Sequence, residues 1–298
     1  MDYSESPNPS TPAYLMSSIT TRQLHDRFED RVRDWCVVVN ETLETESSLI
    51  GFGTREDQSV VLKVIKRPGD EWRSGEILDA FAGKGVVRVH EYIEGAVLLE
   101  RLSPGNSLVG IALNGGDDEA TEILADVIKK MSPRRLVQAA VTVEGWARGF
   151  ERYSASGDGQ IPRSLVEKGY RVYLDLCGSQ SSPRLLHGDL QHYNVLFDSD
   201  RGWLAIDPKG VVGEIEYELG ALLRNPCEKP ELFAQQSTIE RRLTCLASKL
   251  SLDFRRALAW GFAQAVLSAI WGVEDGFAVD ARNPGIVLAE AIRPMLEM

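Results

Sequence analysis

The chain has 298 residues, of which 43% are hydrophobic and 26% are charged, and its formal net charge is −11. This length suits two domains, since single hydrophobic cores stop growing at roughly 250–300 residues. The composition is that of an ordinary globular protein. The acidic charge argues against nucleic acid as a partner, because nucleic-acid-binding proteins carry clustered lysine and arginine. We expect a cytoplasmic protein, monomeric or homodimeric, that binds neither nucleic acid nor a membrane.

Residues 1–18 are rich in Ser and Pro and lack the basic and apolar regions of a signal peptide, which predicts a disordered N-terminal tail. An amphipathic helix follows, with Leu24, Phe28, Val32 and Trp35 at helical spacing. Strand-like runs at 47–53 and 59–66 flank the turn-rich TREDQ, and these runs predict two antiparallel strands.

A helix is expected next, from near Pro68 through EWRSGEILDAFA, and two further strands are expected at 86–93 and 96–102 around the turn at Glu94–Gly95. The Ser103-Pro104-Gly105 segment has the composition of a hinge. We therefore predict a β-rich N-lobe over residues 19–102 and a mainly helical C-lobe over residues 103–298.

Two apolar stripes predict helices in the C-lobe. One runs from Leu136 through Ala140 and Val143 to Ala147, and the other lies within the apolar stretch 257–273. The second stretch is too short and too often interrupted to span a membrane, so it predicts a core helix. Short strands are expected only around residues 184–207.

The stretch LLHGDLQHYNVLFDSDRGWLAIDPKG, residues 185–210, carries the chemistry. Asn194 follows Asp189 by five positions, and Asp207 closes a predicted hairpin eighteen positions after Asp189. Phosphoryl transfer needs a carboxylate that accepts a hydroxyl proton and oxygen ligands for magnesium, and this arrangement supplies both. Taken singly, each residue could instead cap a turn or end a strand. His192 has no partner at zinc-ligand spacing and is predicted to be an ordinary loop side chain.

This segment resembles the aminoglycoside phosphotransferase superfamily, whose loop reads H-G-D where protein kinases have H-R-D. More narrowly it resembles the streptomycin 6-phosphotransferase and hydroxyurea phosphotransferase branch, because Asp207 is followed by proline. The resemblance extends from about Leu62 to Asp275. It implies an α+β fold of the two-lobed protein-kinase type, with a small antiparallel-sheet N-lobe, a larger helical C-lobe and ATP in the cleft.

The resemblance also implies roles for individual residues. Asp189 would be the catalytic base, Asn194 and Asp207 would hold Mg²⁺, and His187 would support the loop. The implied ATP-binding residues are Lys63, its glutamate partner Glu76, and a hinge over Glu100 to Leu102 that contacts adenine through its backbone. The implied substrate contacts are Glu214, Trp271, Glu274 and Asp275.

The expected function is transfer of the γ-phosphate of ATP to a hydroxyl of a small polar molecule. A streptomycin-type aminoglycoside is the first expectation and hydroxyurea the second. Kinases for choline, homoserine or fructosamines, and more distantly for protein serine and threonine, remain alternatives. A catalytically silent nucleotide-binding relative is the alternative from another class.

Overall fold

The structure is a computed structural model, and it describes residues 21–69, 71–135, 137, 140–156 and 158–297. The predicted tail over residues 1–18 lies outside the described residues. The chain forms two compact units. The first comprises the chain up to Glu76 together with Arg88–Arg101, and the second comprises Ile77–Val87 and the chain from Leu102 onward.

The first unit is built on a five-stranded antiparallel sheet with the order β1-β2-β3-β5-β4. Its elements are α1 (Thr21–Asp34), β1 (Val38–Glu44), β2 (Ser48–Arg55), β3 (Gln58–Ile65), β4 (Val89–Ile93), β5 (Ala96–Glu100) and the start of α2 (Ser74–Phe81). The β2–β3 turn at Glu56 and Asp57 has positive φ at both residues, as a two-residue hairpin turn requires. The apolar face of α1 joins the core cluster formed by the sheet.

The first helix and both predicted strand pairs are confirmed, with small shifts at their ends. Two features differ. Strand β1 was not predicted, because its side chains are almost all exposed and give no apolar alternation. Helix α2 starts only at Ser74, because Glu71–Arg73 form turns.

The second unit is mainly helical and its core is α11 (Phe254–Glu274), whose side chains are buried on nearly every face and pack against α7, α8 and α12. Among the described residues α11 is the one helix long and apolar enough to span a membrane, but 67% of its apolar window is buried. The predicted core helix is confirmed. The other helices are α3 (Val109–Leu113), α4 (Asp117–Lys130), α5 (Val143–Trp146), α6 (Arg148–Ser156), α7 (Arg163–Cys177), α8 (Leu219–Leu223), α9 (Pro230–Phe233), α10 (Gln236–Leu250) and α12 (Pro284–Ile292).

Two small three-stranded sheets complete the second unit, with the orders β10-β9-β6 and β7-β11-β8. Their strands are β6 (Pro104–Ser107), β7 (Val141–Thr142), β8 (Arg184–Leu186), β9 (Val195–Asp198), β10 (Gly202–Ala205) and β11 (Val211–Gly213). Strands β9 and β10 form the antiparallel hairpin expected from the sequence.

The helix expected from Leu136 to Ala147 is wrong in its first half. Leu136 lies outside the described residues, Ala140 is not helical, and Val141–Thr142 is strand β7. The backbone of β7 pairs with β11, so tertiary pairing overrides the helical pattern of the local sequence. Only Val143 and the residues after it are helical.

Candidate active site

His187 joins the loop that carries Asp189 to the segment that carries Asp207. Its Nδ1 accepts from the Asp189 backbone amide, so Nε2 carries the proton and donates to the Ile206 carbonyl at 2.7 Å. Its own carbonyl accepts from the Lys209 amide at 2.9 Å. Complete burial lowers the pKa of the ring, which is therefore neutral near pH 7. These bonds fit the supporting role predicted for His187.

The side chain of Glu218 binds the backbone of the same loop. Its two carboxylate oxygens accept from the backbone amides of His187, at 2.7 Å, and of Gly188, at 2.9 Å. Burial raises the pKa of Glu218 to about 7, against the opposing effect of these bonds. Sequence reasoning missed this residue, because no pattern in the sequence links it to the Asp189 loop.

Gly188 explains why the motif reads H-G-D. Its φ is +82°, a region that favours glycine, and a Cβ added there would lie 3.1 Å from Val211 and 3.2 Å from the Trp146 ring. A side chain at this position would therefore meet both a strained backbone and a filled space. The glycine allows Trp146 to pack directly against the Asp189 loop.

Asn194 lies next to both predicted aspartates. Its Nδ2 donates to the Asp189 carbonyl at 2.9 Å, and its own carbonyl accepts from the Ile206 amide at 2.9 Å. Asp207 follows Ile206 directly and has φ +55°, which is uncommon for a residue with a side chain. The second unit thus brings Asp189, Asn194 and Asp207 onto adjoining, hydrogen-bonded loops.

The donor set at these loops fits a magnesium ion bound together with phosphates. Because Nδ2 of Asn194 is committed to the Asp189 carbonyl, Oδ1 is the atom that the amide can offer to a cation. Asp207 adds a half-buried carboxylate. The part of the chain that the structure describes holds no cluster of three or more His, Cys, Asp or Glu suited to a metal. Magnesium is commonly held by one or two carboxylates plus substrate phosphates, so no such cluster is needed.

Lys63 lies in the first unit, on β3. It is only 5% exposed, and its Nζ lies 2.9 Å from Oε2 of Glu71. Glu71 was not singled out from the sequence, although it lies within the segment expected to be helical; in the structure it lies in the turns before α2. The expected partner, Glu76, accepts a hydrogen bond from Arg73.

The predicted hinge residues lie on both sides of the unit division. Glu100 ends β5 in the first unit, and its Oε1 accepts from the Arg88 amide at 2.7 Å. Leu102 is buried and begins the longer segment of the second unit. The Arg101 amide donates to the Ser59 carbonyl, which extends the β3–β5 pairing by one residue.

The substrate contact expected at Glu214 is wrong. The side chain is 2% exposed, and its Oε1 accepts from Arg256 Nε at 2.5 Å and from Trp260 Nε1. Its backbone amide donates to Gln180. Glu214 is therefore part of a buried ion pair between the 211–218 segment and α11, and it has no surface to offer a ligand.

The other three predicted contacts lie at the C-terminal end of α11. Trp271 packs edge-to-face on Trp146 with 5.3 Å between ring centroids, and Lys209 Nζ lies 5.3 Å from the Trp271 ring centroid. Glu274 makes a bidentate pair with Arg152, at 2.7 and 3.0 Å. Asp275 is exposed and caps the helix. Trp271 is thus linked through Trp146 to the Asp189 loop.

The sequence profile of the aminoglycoside/hydroxyurea antibiotic resistance kinases matches residues 34–276. The chain belongs to this family. It is 34% identical to the streptomycin 3''-kinase of Klebsiella pneumoniae, over 79% of this chain and 88% of that protein. It is 28% identical to the streptomycin 6-kinase of Streptomyces griseus, over 83% of this chain and 81% of that protein.

The family assignment confirms the branch recognised in the sequence and makes the chain a small-molecule phosphotransferase. Its fold is also found in a thermostable mutant of an aminoglycoside phosphotransferase solved with ADP and hygromycin B. That structure has a TM-score of 0.60 and 15% identity, and the match covers 89% of this chain and 97% of the other. The predicted two-lobed protein-kinase-like fold is therefore confirmed.

Proposed function

We propose that this kinase transfers the γ-phosphate of ATP to a hydroxyl group of a streptomycin-type aminoglycoside. The observation that carries the proposal is the placement of Asp189, Asn194 and Asp207 on adjoining loops joined through His187. The streptomycin kinases among its relatives support the choice of acceptor. Because the reaction consumes ATP, we place the protein in the cytoplasm.

Asp189 is assigned as the residue that orients the acceptor hydroxyl and accepts its proton. Its carboxylate is partly accessible, with 25% of the side chain exposed, so it can reach a ligand in solution. The loop that carries it is held by backbone bonds to Glu218 and to Asn194. Since phosphoryl transfer depends on positioning and electrostatics more than on covalent chemistry, this rigid support is what the reaction needs.

Asn194 and Asp207 are assigned to Mg²⁺, which supplies charge neutralisation on the β- and γ-phosphates when bound. Lys63 is assigned to the α- and β-phosphates. Its burial beside Glu71 fixes the ammonium group in one place. The backbone of Glu100 to Leu102 is assigned to the adenine edge, and Glu76 to support of Lys63.

Trp271, Glu274 and Asp275 are assigned to the acceptor. The Trp146–Trp271 pair packs against the Asp189 loop and offers apolar surface beside the predicted base. The acidic end of α11 suits an acceptor that carries positive charge. Glu274 contributes together with Arg152, because the two side chains already form a pair.

The decisive experiment incubates the purified protein with ATP, Mg²⁺ and a panel of acceptors, and measures ADP release and acceptor mass. We expect streptomycin to gain one phosphoryl group, and NMR of the product would identify the hydroxyl as 3'' or 6. Hydroxyurea is the second candidate, because the family includes kinases that act on it, and choline serves as the control from another class. Absence of transfer to streptomycin, with transfer to another acceptor, would refute the proposed substrate.

A further inference from the structure

The carboxylate of Asp189 has a charged neighbour at the end of α8. Arg224, at the C-terminal end of α8, directs Nη2 to Asp189 Oδ1 at 3.4 Å. Its side chain is only 12% exposed. Burial lowers the pKa of the guanidinium, and the nearby Asp189 carboxylate opposes that effect. An arginine remains charged in such a place, so a fixed cation faces the predicted base.

The guanidinium is held in place from a second side. Its Nη1 donates to Oε1 of Gln264 at 2.6 Å, and Gln264 is a 1%-exposed residue of the core helix α11. The two bonds leave from different nitrogens of one rigid planar group, so they fix its orientation as well as its position. Gln264 is the one polar side chain in the long buried run of α11 from Ala257 to Ile270, apart from the half-buried Ser268.

Gly220 makes this contact possible. A Cβ added at Gly220 would lie 2.0 Å from Oε1 of Gln264 and 2.4 Å from its Cδ. Any larger residue at position 220 would therefore push the Gln264 amide away from Arg224. Alanine is normally preferred over glycine inside a helix, but only glycine at this position leaves room for Gln264 to reach the guanidinium.

We propose that Gly220, Gln264 and Arg224 form a relay that positions the Asp189 carboxylate for the acceptor hydroxyl. This inference rests on the proposed role of Asp189 as base. Arg224 acts through Asp189 and is a positioning residue. Because misplacing a reacting group by about 1 Å can lower a rate about 100-fold, the relay should affect turnover far more than binding.

The test compares Arg224→Met, Arg224→Lys and Gln264→Met with a matched control, Arg256→Met. Arg256 lies on α11 and, like Arg224, is a partly buried arginine that pairs with a carboxylate. Its partner is Glu214 and not Asp189. For each variant we would measure kcat, the KM values for ATP and acceptor, the nucleotide Kd and the thermal unfolding midpoint, normalising kcat to the folded fraction.

We expect Arg224→Met to lower kcat about 100-fold, with both KM values within about 3-fold of wild type. Arg224→Lys should restore about 10-fold of that loss, because it returns the charge without the fork geometry. Gln264→Met, which keeps Arg224, should lower kcat about 10-fold. Arg256→Met should lower the unfolding midpoint and leave kcat of the folded protein unchanged.

Two results would overturn the relay. In one, Arg224→Met and Gln264→Met lower only the unfolding midpoint, as the control does, which would make Arg224 a structural ion pair. In the other, KM rises while kcat is unchanged, which would make Arg224 a substrate-binding residue. If Arg224→Met does not fold, Gln264→Met decides by the same criteria. The proposed function itself would be refuted by a different result, in which wild type binds ATP but neither phosphorylates any acceptor nor hydrolyses ATP.

Discussion

Glu218 offers a sharp test of how the Asp189 loop is held. Both of its oxygens accept from loop amides, yet burial raises its pKa to about 7, well above the ordinary value of 4.5. A buried acid whose folded-state pKa exceeds its unfolded value contributes stability that is fully present below the unfolded pKa. That contribution is lost as the pH rises through the folded pKa, here between about pH 4.5 and about pH 7.

The size of the effect follows from the two pKa values. At about 1.4 kcal/mol per pH unit, their separation corresponds to about 3 kcal/mol, most of which falls between about pH 5 and pH 8. Glu218→Gln has nearly the same shape and does not titrate. The free energy of unfolding of wild type, minus that of the variant, should therefore fall by about 2 to 3 kcal/mol over this range.

The assay is urea unfolding of both proteins at several pH values, so that titrations common to both cancel. The test is the change of the stability difference with pH rather than its size at one pH, because at pH 8 the variant loses the cost of a buried charge but gains an unfavourable contact between its amide N–H₂ and a loop N–H group. The kcat of the variant should fall about 10-fold, because the new amide N–H₂ faces one of the two loop N–H groups that the carboxylate had accepted. A difference that stays flat with pH, or that rises with pH, would refute this reasoning.

Three further predictions concern the metal, the sheet and the acceptor. Asp207→Asn should weaken magnesium-dependent ATP binding, measured by magnesium titration; an unchanged titration would exclude Asp207 as a ligand. Gly53→Ala places a Cβ 2.1 Å from the Val38 carbonyl oxygen, so stability should fall by about 3 kcal/mol in denaturant unfolding, whereas Gly69→Ala, with nothing within 4 Å, serves as the control. The KM for streptomycin should rise with salt, and less steeply in Glu274→Gln; a flat response in wild type would contradict a cationic acceptor.

Much of the fold could be predicted because its patterns are local. The β2–β3 and β9–β10 hairpins each combine apolar strands with a turn-rich connection, and both are present. Strand β1 and the β7–β11 pair could not be predicted, since one is nearly all exposed and the other depends on residues about 70 positions apart. Pairing at that distance leaves no periodic signal in either segment.

Only part of the candidate site could likewise be predicted from the sequence. The motif residues Asp189, Asn194 and Asp207 carry their chemistry in their spacing, so sequence reasoning could nominate them. Glu214 was misjudged because a buried ion pair and a surface carboxylate look alike in sequence. The partners of the motif, Glu218 and Arg224, come from a segment 29 to 35 residues after Asp189, and only their hydrogen bonds identify them.

Phosphate transfer from ATP to streptomycin, compared between wild type and Asp189→Asn, is the direct test of Asp189 as the base. We expect streptomycin phosphate from wild type. In the variant we expect kcat to be at least about 100-fold lower with nucleotide affinity unchanged, because the base acts on the acceptor and not on ATP. Wild-type turnover in Asp189→Asn, or loss of ATP binding without loss of turnover, would contradict the assignment of Asp189 as the base.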